Sequence, residues 1–383
     1  MMKRLLPIIM CLALSISLHA QDSLSINRDA EGFVTASLMV AAPGDRLYSV
    51  LGHAYIRMQC PTFDMDYCFS YENEGYEGNV WRFIQGNLKM GMIAVPTSEY
   101  LQAYANAKRG IWEYEMNLPI AVKRELWRVL DNRLMEGVYL RYDYLKRGCA
   151  ISCVEVLKEA LDSLPITYAP FPHYLTDYTF WEVFYHYAHK GWDMFWCATM
   201  IGGGVAQQEF TPEQNLIIPA QLAEVWQQAT VCGEPLLKAG VQVLPNTPRS
   251  YTRFTPFMAA CLLLFISVLN LFWGKTYWDK FMLVLHTLMG CLLIYLIFFS
   301  SLPGTEWNWL IIPFFPLPVV LWRWRSKWAL PYAALLLCWC VGVLLPQHQI
   351  VMYSHLLWVM SFILTLIKQS PVWINTRNKL KNK

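Results

Sequence analysis

The chain reads as an exported α+β domain followed by an α-helical membrane bundle of about five spans. Three observations predict this. Of 383 residues, 55% are hydrophobic and only 15% charged, against about 45–50% apolar and about 25% charged in ordinary soluble domains. The apolar excess is concentrated after Arg253. Ahead of that point, a pair of strand-like segments gives way to segments with helical periodicity. The mean hydropathy, +0.27, agrees with the first observation. This composition excludes a purely soluble enzyme, a disordered chain and a nucleic-acid binder, so a membrane is expected among the partners and nucleic acid is not.

Residues 1–20 carry the marks of an export signal: Lys3 and Arg4, an apolar run from Leu5 to Leu18, then His19-Ala20. Leu18 stands where a small residue is usual, which leaves an uncleaved anchor as the alternative. Cys11 lies in no lipidation box, because Ile8-Ile9-Met10 lacks the small residues such a site wants. In residues 21–254, Tyr48–Gln59 and Phe63–Tyr71 are rich in aromatic and β-branched residues and flank Cys60-Pro61-Thr62, which predicts a strand pair. Apolar positions recur at helical spacing over 97–109, 120–136, 150–162 and 219–231. Residues 165–200 are dense in Tyr, Trp and Phe. They read either as an aromatic belt at a membrane interface or as an aromatic-rich core.

After Arg253, apolar stretches at 257–273, 281–300, 308–322, 328–345 and 349–367 each approach the length that crosses a hydrocarbon core of about 30 Å. The third is short and contains Pro313, Pro316 and Pro318, so a broken or re-entrant helix is expected there. Basic residues fall after the first, third and fifth stretches (Lys275 and Lys280; Arg323, Arg325 and Lys327; the tail from Lys368). The loops at 301–307 and 346–348 have none. By the positive-inside rule those basic segments are cytoplasmic, which leaves 21–254 outside the inner membrane. From Thr255 onward the net charge is +8 within a chain total of +3, so the front of the molecule is acidic and the back basic. The expected organisation is a signal peptide (1–20), a core (21–165), an aromatic-rich helical extension near the membrane (166–254), spans (255–367) and a basic cytoplasmic tail (368–383).

Six cysteines fall in the exported part: Cys60, Cys68, Cys149, Cys153, Cys197 and Cys232. Outside the cell disulfides are the default, and Cys60 with Cys68, flanking the hairpin, are one pairing to consider. No CxxC pair and no histidine at zinc spacing is present, so neither a metal nor another cofactor is expected. The candidate chemistry rests on His53, near the start of a strand, and Cys149, where a loop enters helix 150–162. A thiol at a helix N-terminus feels the positive end of the macrodipole, and a nearby imidazole lowers its pKa further. That combination makes a nucleophile; a buried structural cysteine is the plainer alternative. His286 and His355, inside apolar stretches, are further candidates.

The segments Tyr48-Ser49-x-x-Gly52-His53-x-x-Ile56-Arg57, Phe69-Ser70-Tyr71, Phe83-Ile84-Gln85-Gly86-Asn87-Leu88, Tyr100 to Tyr104 and Tyr142-x-Tyr144-Leu145-x-x-x-Cys149 resemble, in order and spacing, the N-terminal periplasmic domain of the Lnb-type lipoprotein N-acyltransferases. That family looks like a circularly permuted relative of papain-like and NlpC/P60 hydrolases, with the His strand before the Cys helix as in lecithin:retinol acyltransferases. The resemblance implies a papain-like catalytic core with His53 and Cys149 as the active pair and Asp66 as the third, orienting group, with Asp64 and Tyr71 behind it. Tyr48, Ser49, Arg57, Tyr71 and Tyr144 would support the site. It further implies a phospholipid acyl donor and a diacylated apolipoprotein acceptor. A periplasmic cysteine amidase or peptidase, and a non-enzymatic assembly factor, are the other classes to separate. The sequence departs from the family at Gly148, where Asn is usual, at Cys153, where Arg is usual, and at Ala206, where an acid is usual. Those changes bear on donor and acceptor specificity.

Overall fold

The computed structural model describes residues 27–44, 49–73, 80–143, 145–169, 179–187, 191–202, 208, 214–247, 253–273, 276–344 and 352–381. The expected signal peptide, Tyr48, Tyr144 and Ala206 lie outside the described residues.

The exported part is built on a seven-stranded antiparallel sheet in the order β6-β4-β3-β2-β1-β5-β9. Its strands are β1 (Thr35–Ala41), β2 (His53–Cys60), β3 (Met65–Asn73), β4 (Lys89–Pro96), β5 (Ile111–Glu115), β6 (Leu140–Arg141) and β9 (Val241–Leu244). A two-residue ribbon, β7 (Thr230–Val231) with β8 (Glu234–Pro235), stands apart. The expected strand pair is present as β2 and β3, joined by a 3-10 turn at Pro61–Phe63 and by Asp64 with φ 53°. Asp is one of the few residues that enter this region at low cost. β1 is buried on both sides, with Ala36, Leu38 and Val40 facing one way and Met39 and Ala41 the other.

Helices α3 (Ile120–Glu136), α4 (Cys149–Asp162) and α7 (Pro219–Gln228) cover the first face, and their apolar stripes close one core with Leu38, Ile56 and Phe69. Helix α2 (Thr97–Asn106) covers the second face through Tyr100 and Tyr104, which pack with Tyr55. These four helices match the predicted periodic segments. The short α1 (Val80–Gln85) precedes β4. The expected boundary at residue 165 is not where the packing divides. Trp226, fully buried, belongs to the same core as Leu38, and β9 pairs with β5 at the sheet edge, so 214–244 completes the α+β unit. Cys60 and Cys68 do not pair. They sit at positions of opposite parity on antiparallel neighbours, one packed on each sheet face, and both are free.

The aromatic segment 180–201 forms α5 (Phe180–Tyr187) and α6 (Trp192–Ile201). Phe180, Phe184 and Phe195 are buried while Tyr185 and Trp196 are exposed. Most of this segment is packed interior, and Phe195 joins the core of the C-terminal bundle.

That bundle comprises α8 (Pro256–Trp273), α9 (Thr276–Phe298), the short α10 (Ile311–Phe314) and α11 (Leu317–Leu321), α12 (Arg325–Val343), α13 (Tyr353–Lys368) and α14 (Pro371–Lys381). Among the described residues, two stretches, Thr276–Phe298 and Ile311–Val343, are long and apolar enough to cross a membrane, and Pro256–Phe272 and Tyr353–Lys368 are shorter apolar helices. The expected break in the third apolar stretch falls at Phe315, whose ψ of 128° is the extended conformation a following proline imposes. One polar cluster pins three helices together. Asp279 accepts hydrogen bonds from Asn270 Nδ2 (2.7 Å), Lys368 Nζ (2.7 Å) and Gln369 Nε2 (2.8 Å). Both charges are almost fully buried, and burial of this kind is tolerated only when the charges are paired.

Candidate active site

The sheet register assembles the site. β2 and β3 pair with Ile56 opposite Phe69 and Gln59 opposite Asp66. Carried three pairs past Ile56, the same register brings Glu72 beside His53, the first residue of β2. The imidazole Nε2 lies 2.7 Å from Ser70 Oγ and 3.1 Å from Glu72 Oε1. Ser70 donates to Glu72 (3.0 Å), and the Tyr100 hydroxyl donates to Glu72 and lies 3.0 Å from Ser70 Oγ. With Nε2 engaged on the sheet side, Nδ1 is the nitrogen left for the thiol.

Cys149 reaches the same point from the other side. It is the first residue of α4, behind Gly148 in extended conformation, and α4 packs directly on β2. His53 and Cys149 are hydrogen-bonded, and the Ala54 backbone also bonds to the sulfur. Burial alone would push this thiol up. The His53 charge, its hydrogen bond and the Ala54 bond outweigh burial and bring the pKa below 9.0. For His53, burial works against protonation, yet Tyr104, the sulfur and the Glu72 carboxylate prevail and hold the imidazole well above 6.5. Glu72 itself is brought down to about 2: burial opposes this, but the imidazole, Tyr100 and Ser70 win. The arrangement favours a thiolate–imidazolium pair, the reactive form of a cysteine nucleophile. The backbone N–H groups of the first turn of α4 have no helical acceptor and stand beside the sulfur, where an oxyanion would form.

His53 and Cys149 open on a cleft of about 100 Å³ that is also lined by Ser49, Tyr71, Tyr104 and Tyr142. It has room for the carbonyl end of a substrate and not for a whole lipid.

Of the predicted site residues, the structure brings together His53 and Cys149, with Ser49 and Tyr71 in the wall of their cleft. It does not bring Asp66 to His53. Asp66 sits opposite Gln59, at the far end of the hairpin, where it binds Arg57 (2.6 and 2.9 Å), Gln59 (3.2 Å) and Thr97 (2.5 Å). Arg57 also holds Glu113 at 3.0 Å and supports the sheet rather than touching the cleft. The carboxylate beside the imidazole is Glu72, which sequence reasoning missed. The signal was present in the pairing arithmetic of the hairpin: a turn centred on Thr62–Phe63 sets residue 53 against 72. Cys153, one turn below the nucleophile, is buried in the core, and burial with the neighbouring Cys149 pushes its thiol well up. A side chain at Gly148 would meet open space, so crowding does not explain the loss of the family's Asn.

Fold and site together define a membrane protein whose exported α+β domain carries a Cys–His–Glu constellation at the N-terminus of a helix. Residues 28–178 match the Lnb N-terminal periplasmic domain family, and over that stretch the exported domain is similar to the periplasmic domain of Lnb-type proteins. No curated protein and no solved structure matches the chain.

Proposed function

We propose that the protein is a thiol-dependent lipoprotein N-acyltransferase of the inner membrane, with its catalytic domain in the periplasm, a permuted papain-like core and five passes through the bilayer. His53 takes the Cys149 proton, and the thiolate attacks an ester carbonyl of a phospholipid. The C–S bond forms, the ester C–O bond breaks, and the imidazolium returns its proton to the departing lysophospholipid oxygen. The free α-amine of a diacylglyceryl-cysteine lipoprotein then attacks the thioester. The C–N bond forms, the C–S bond breaks, and the amine proton returns through His53 to the thiolate. Glu72 holds the imidazole and steadies its charge, the usual task of a triad's third member.

The observation that carries this reading is the His53–Cys149 pair in a cleft whose wall is joined to the bundle: Leu51, in the wall, packs on the buried pair Val50 and Met194, and Met352, at the start of α13, packs on the same pair. A thiolate at the outer end of a membrane bundle is within reach of lipid esters. Water-soluble amides need no such placement, which favours acyl transfer over an amidase. The test is lipoprotein acyl state by mass spectrometry in a strain lacking its own N-acyltransferase. Wild type is expected to give the triacylated form and Cys149→Ser the diacylated one. Triacylation retained in Cys149→Ala removes the nucleophile from the reading. Hydrolysis of small amides without acyl transfer would replace it with the amidase.

A further inference from the structure

The exported domain and the bundle meet at several places among the described residues, Phe195 against the bundle core being one, and the most extensively hydrogen-bonded is the loop at residues 300–310, between α9 and α10. At its first end, Ser301 N–H donates to Gln85 O (2.9 Å) and Ser300 Oγ to Ile84 O (2.5 Å). Arg141 donates to Gly86 O (2.9 Å) and to Ser301 O, bridging domain and loop. Gly86 has φ +69°, and a side chain there would run into the backbone of Ser301 and Leu302. At the other end, Asn308, 1% exposed, donates to Thr199 O (2.7 Å) and Met200 O (3.2 Å) and accepts from Leu310 N–H (3.0 Å). Trp309 N–H donates to Gly202 O (3.1 Å), and a Cβ on Gly202 would crowd Ala198 O and Asn308. Thr199 in turn lies 3.0 Å from His355 Nε2 on α13. Between the two ends, buried Thr305 ties the loop to Leu296 O (2.9 Å) and Leu302 O (3.0 Å).

Loops of this length ordinarily run over a surface with loose ends. Here Leu302, Thr305, Asn308 and Leu310 are buried. A polar network satisfied in this way specifies one arrangement, because breaking any part leaves buried groups unpaired. The contact leads to the active cleft. Tyr142, in the cleft wall, packs on the cluster formed by Phe83, Leu88, Leu296 and Leu302, which joins the domain to the outer end of α9. Around this contact Trp81, Trp307, Trp309, Phe298 and Phe299 are exposed, as side chains at a membrane–water boundary are.

We propose that the 300–310 loop is a positioning clamp that holds the Cys149 cleft at one height and tilt over the bilayer, so that the sulfur meets groups carried on lipids. The clamp depends on the bundle lying in a membrane, as in the reading above, but not on acyl transfer. Asn308, Gly86 and Gly202 are its positioning residues.

The experiment uses the full chain in phosphatidylcholine vesicles and two electrophiles: water-borne N-ethylmaleimide, and a phosphatidylethanolamine bearing a maleimide on its headgroup. Modification of the Cys149 peptide is followed by mass spectrometry for wild type, Asn308→Ala and Gly86→Ala. In wild type both reagents are expected to label Cys149. In the variants the lipid-borne rate is expected to fall about tenfold or more, since ångström-scale misplacement carries costs of that order, while the water-borne rate stays within about twofold, as for any group whose own geometry is intact. If both rates fall together in Asn308→Ala, or the ratio is unchanged in both variants, or wild type resists the lipid-borne reagent, the clamp is overturned. Should Gly86→Ala not fold, Asn308→Ala, which removes hydrogen bonds without adding bulk, decides. A wild type that shows the ratio yet leaves lipoproteins diacylated sinks the acyl-transfer reading and leaves the clamp standing.

Discussion

At one end of β3, Asp66 accepts hydrogen bonds from Arg57, Gln59 and Thr97; at the other, six residues on and on the same sheet face, Glu72 accepts from Ser70 and Tyr100 beside an imidazole. Both carboxylates are held below their ordinary pKa, and burial opposes the shift in both. Their partners differ. Arg57 is a permanent cation with two carboxylates fixed on it, so the Asp66 end has no proton to give or take near neutral pH. The cation beside Glu72 is an imidazole, which exists as a cation only while protonated and which has a thiol on its other side. A carboxylate facing arginine supports the sheet; one facing histidine is coupled to proton transfer. Four substitutions sharpen or break this contrast.

The largest effect is expected for Glu72→Gln. The amide keeps the shape and loses the charge that helps hold the imidazole protonated, so the His53 pKa moves down and the alkaline limb of the pH–rate profile moves with it. Acyl transfer at pH 8 is expected to fall about 100-fold, the lower end of what general acid–base groups contribute, because Ser70 still orients the ring. A kcat/KM profile against pH checks both; an unmoved alkaline limb breaks the contrast. The same change alters stability in acid. A carboxyl at about 2 when folded and 4.5 when unfolded contributes stability that is fully present above pH 4.5 and lost as the pH falls towards 2. Melting temperatures of wild type and Glu72→Gln should therefore converge on acidification across that window.

Arg57→Ala is expected to act on the fold instead. It strips one cation from two partly buried carboxylates, a situation between a surface pair worth about 0–1 kcal/mol and a broken buried pair costing about 3–5 kcal/mol. A loss of about 2 kcal/mol in urea unfolding is expected, with the Cys149 alkylation rate nearly unchanged. A large drop in that rate, with stability intact, would mean that Arg57 serves the site after all.

The contrast also explains what the sequence disclosed. The strand pair, the four periodic helices and the Cys and His at the ends of their elements follow from local pattern: apolar spacing, a Cys-Pro-Thr turn, a cysteine before a helical run. Glu72 was missed because its relation to His53 is not local. It depends on register, and a carboxylate placed about a dozen residues past the histidine looks as good as one placed nineteen past until the hairpin turn is centred. β9 was missed for a similar reason. Its four residues are exposed or half-buried, carry little hydrophobic signal, and become a strand only because β5 offers an unpaired edge. The broken third apolar stretch was legible because proline acts on its immediate neighbour.

Tyr100→Phe should have a smaller effect than either change above. It removes the hydroxyl that bonds Glu72 and Ser70 but leaves the ring packed on Tyr55 at 4.6 Å between centroids. A lost hydrogen bond to a charged group corresponds to about 1.5–3 kcal/mol; since Ser70 still bonds the carboxylate, a fall in kcat of about tenfold with KM unchanged is expected. Steady-state kinetics separate this from a packing defect, which would lower melting temperature without touching kcat alone.

The smallest effect is expected at Asp66→Asn, the residue that the family resemblance favoured for the triad. The substitution keeps a hydrogen-bond acceptor for Arg57 and Thr97 and removes only a charge that is 38% exposed. Arg57 keeps Glu113 as its counter-ion, so no buried cation is left alone, and the cost should stay within about 1 kcal/mol. Since neither Asp66 nor its partners line the cleft, the pH profile of Cys149 alkylation should coincide with that of wild type. A profile displaced by Asp66→Asn and untouched by Glu72→Gln would exchange the roles of the two ends of β3.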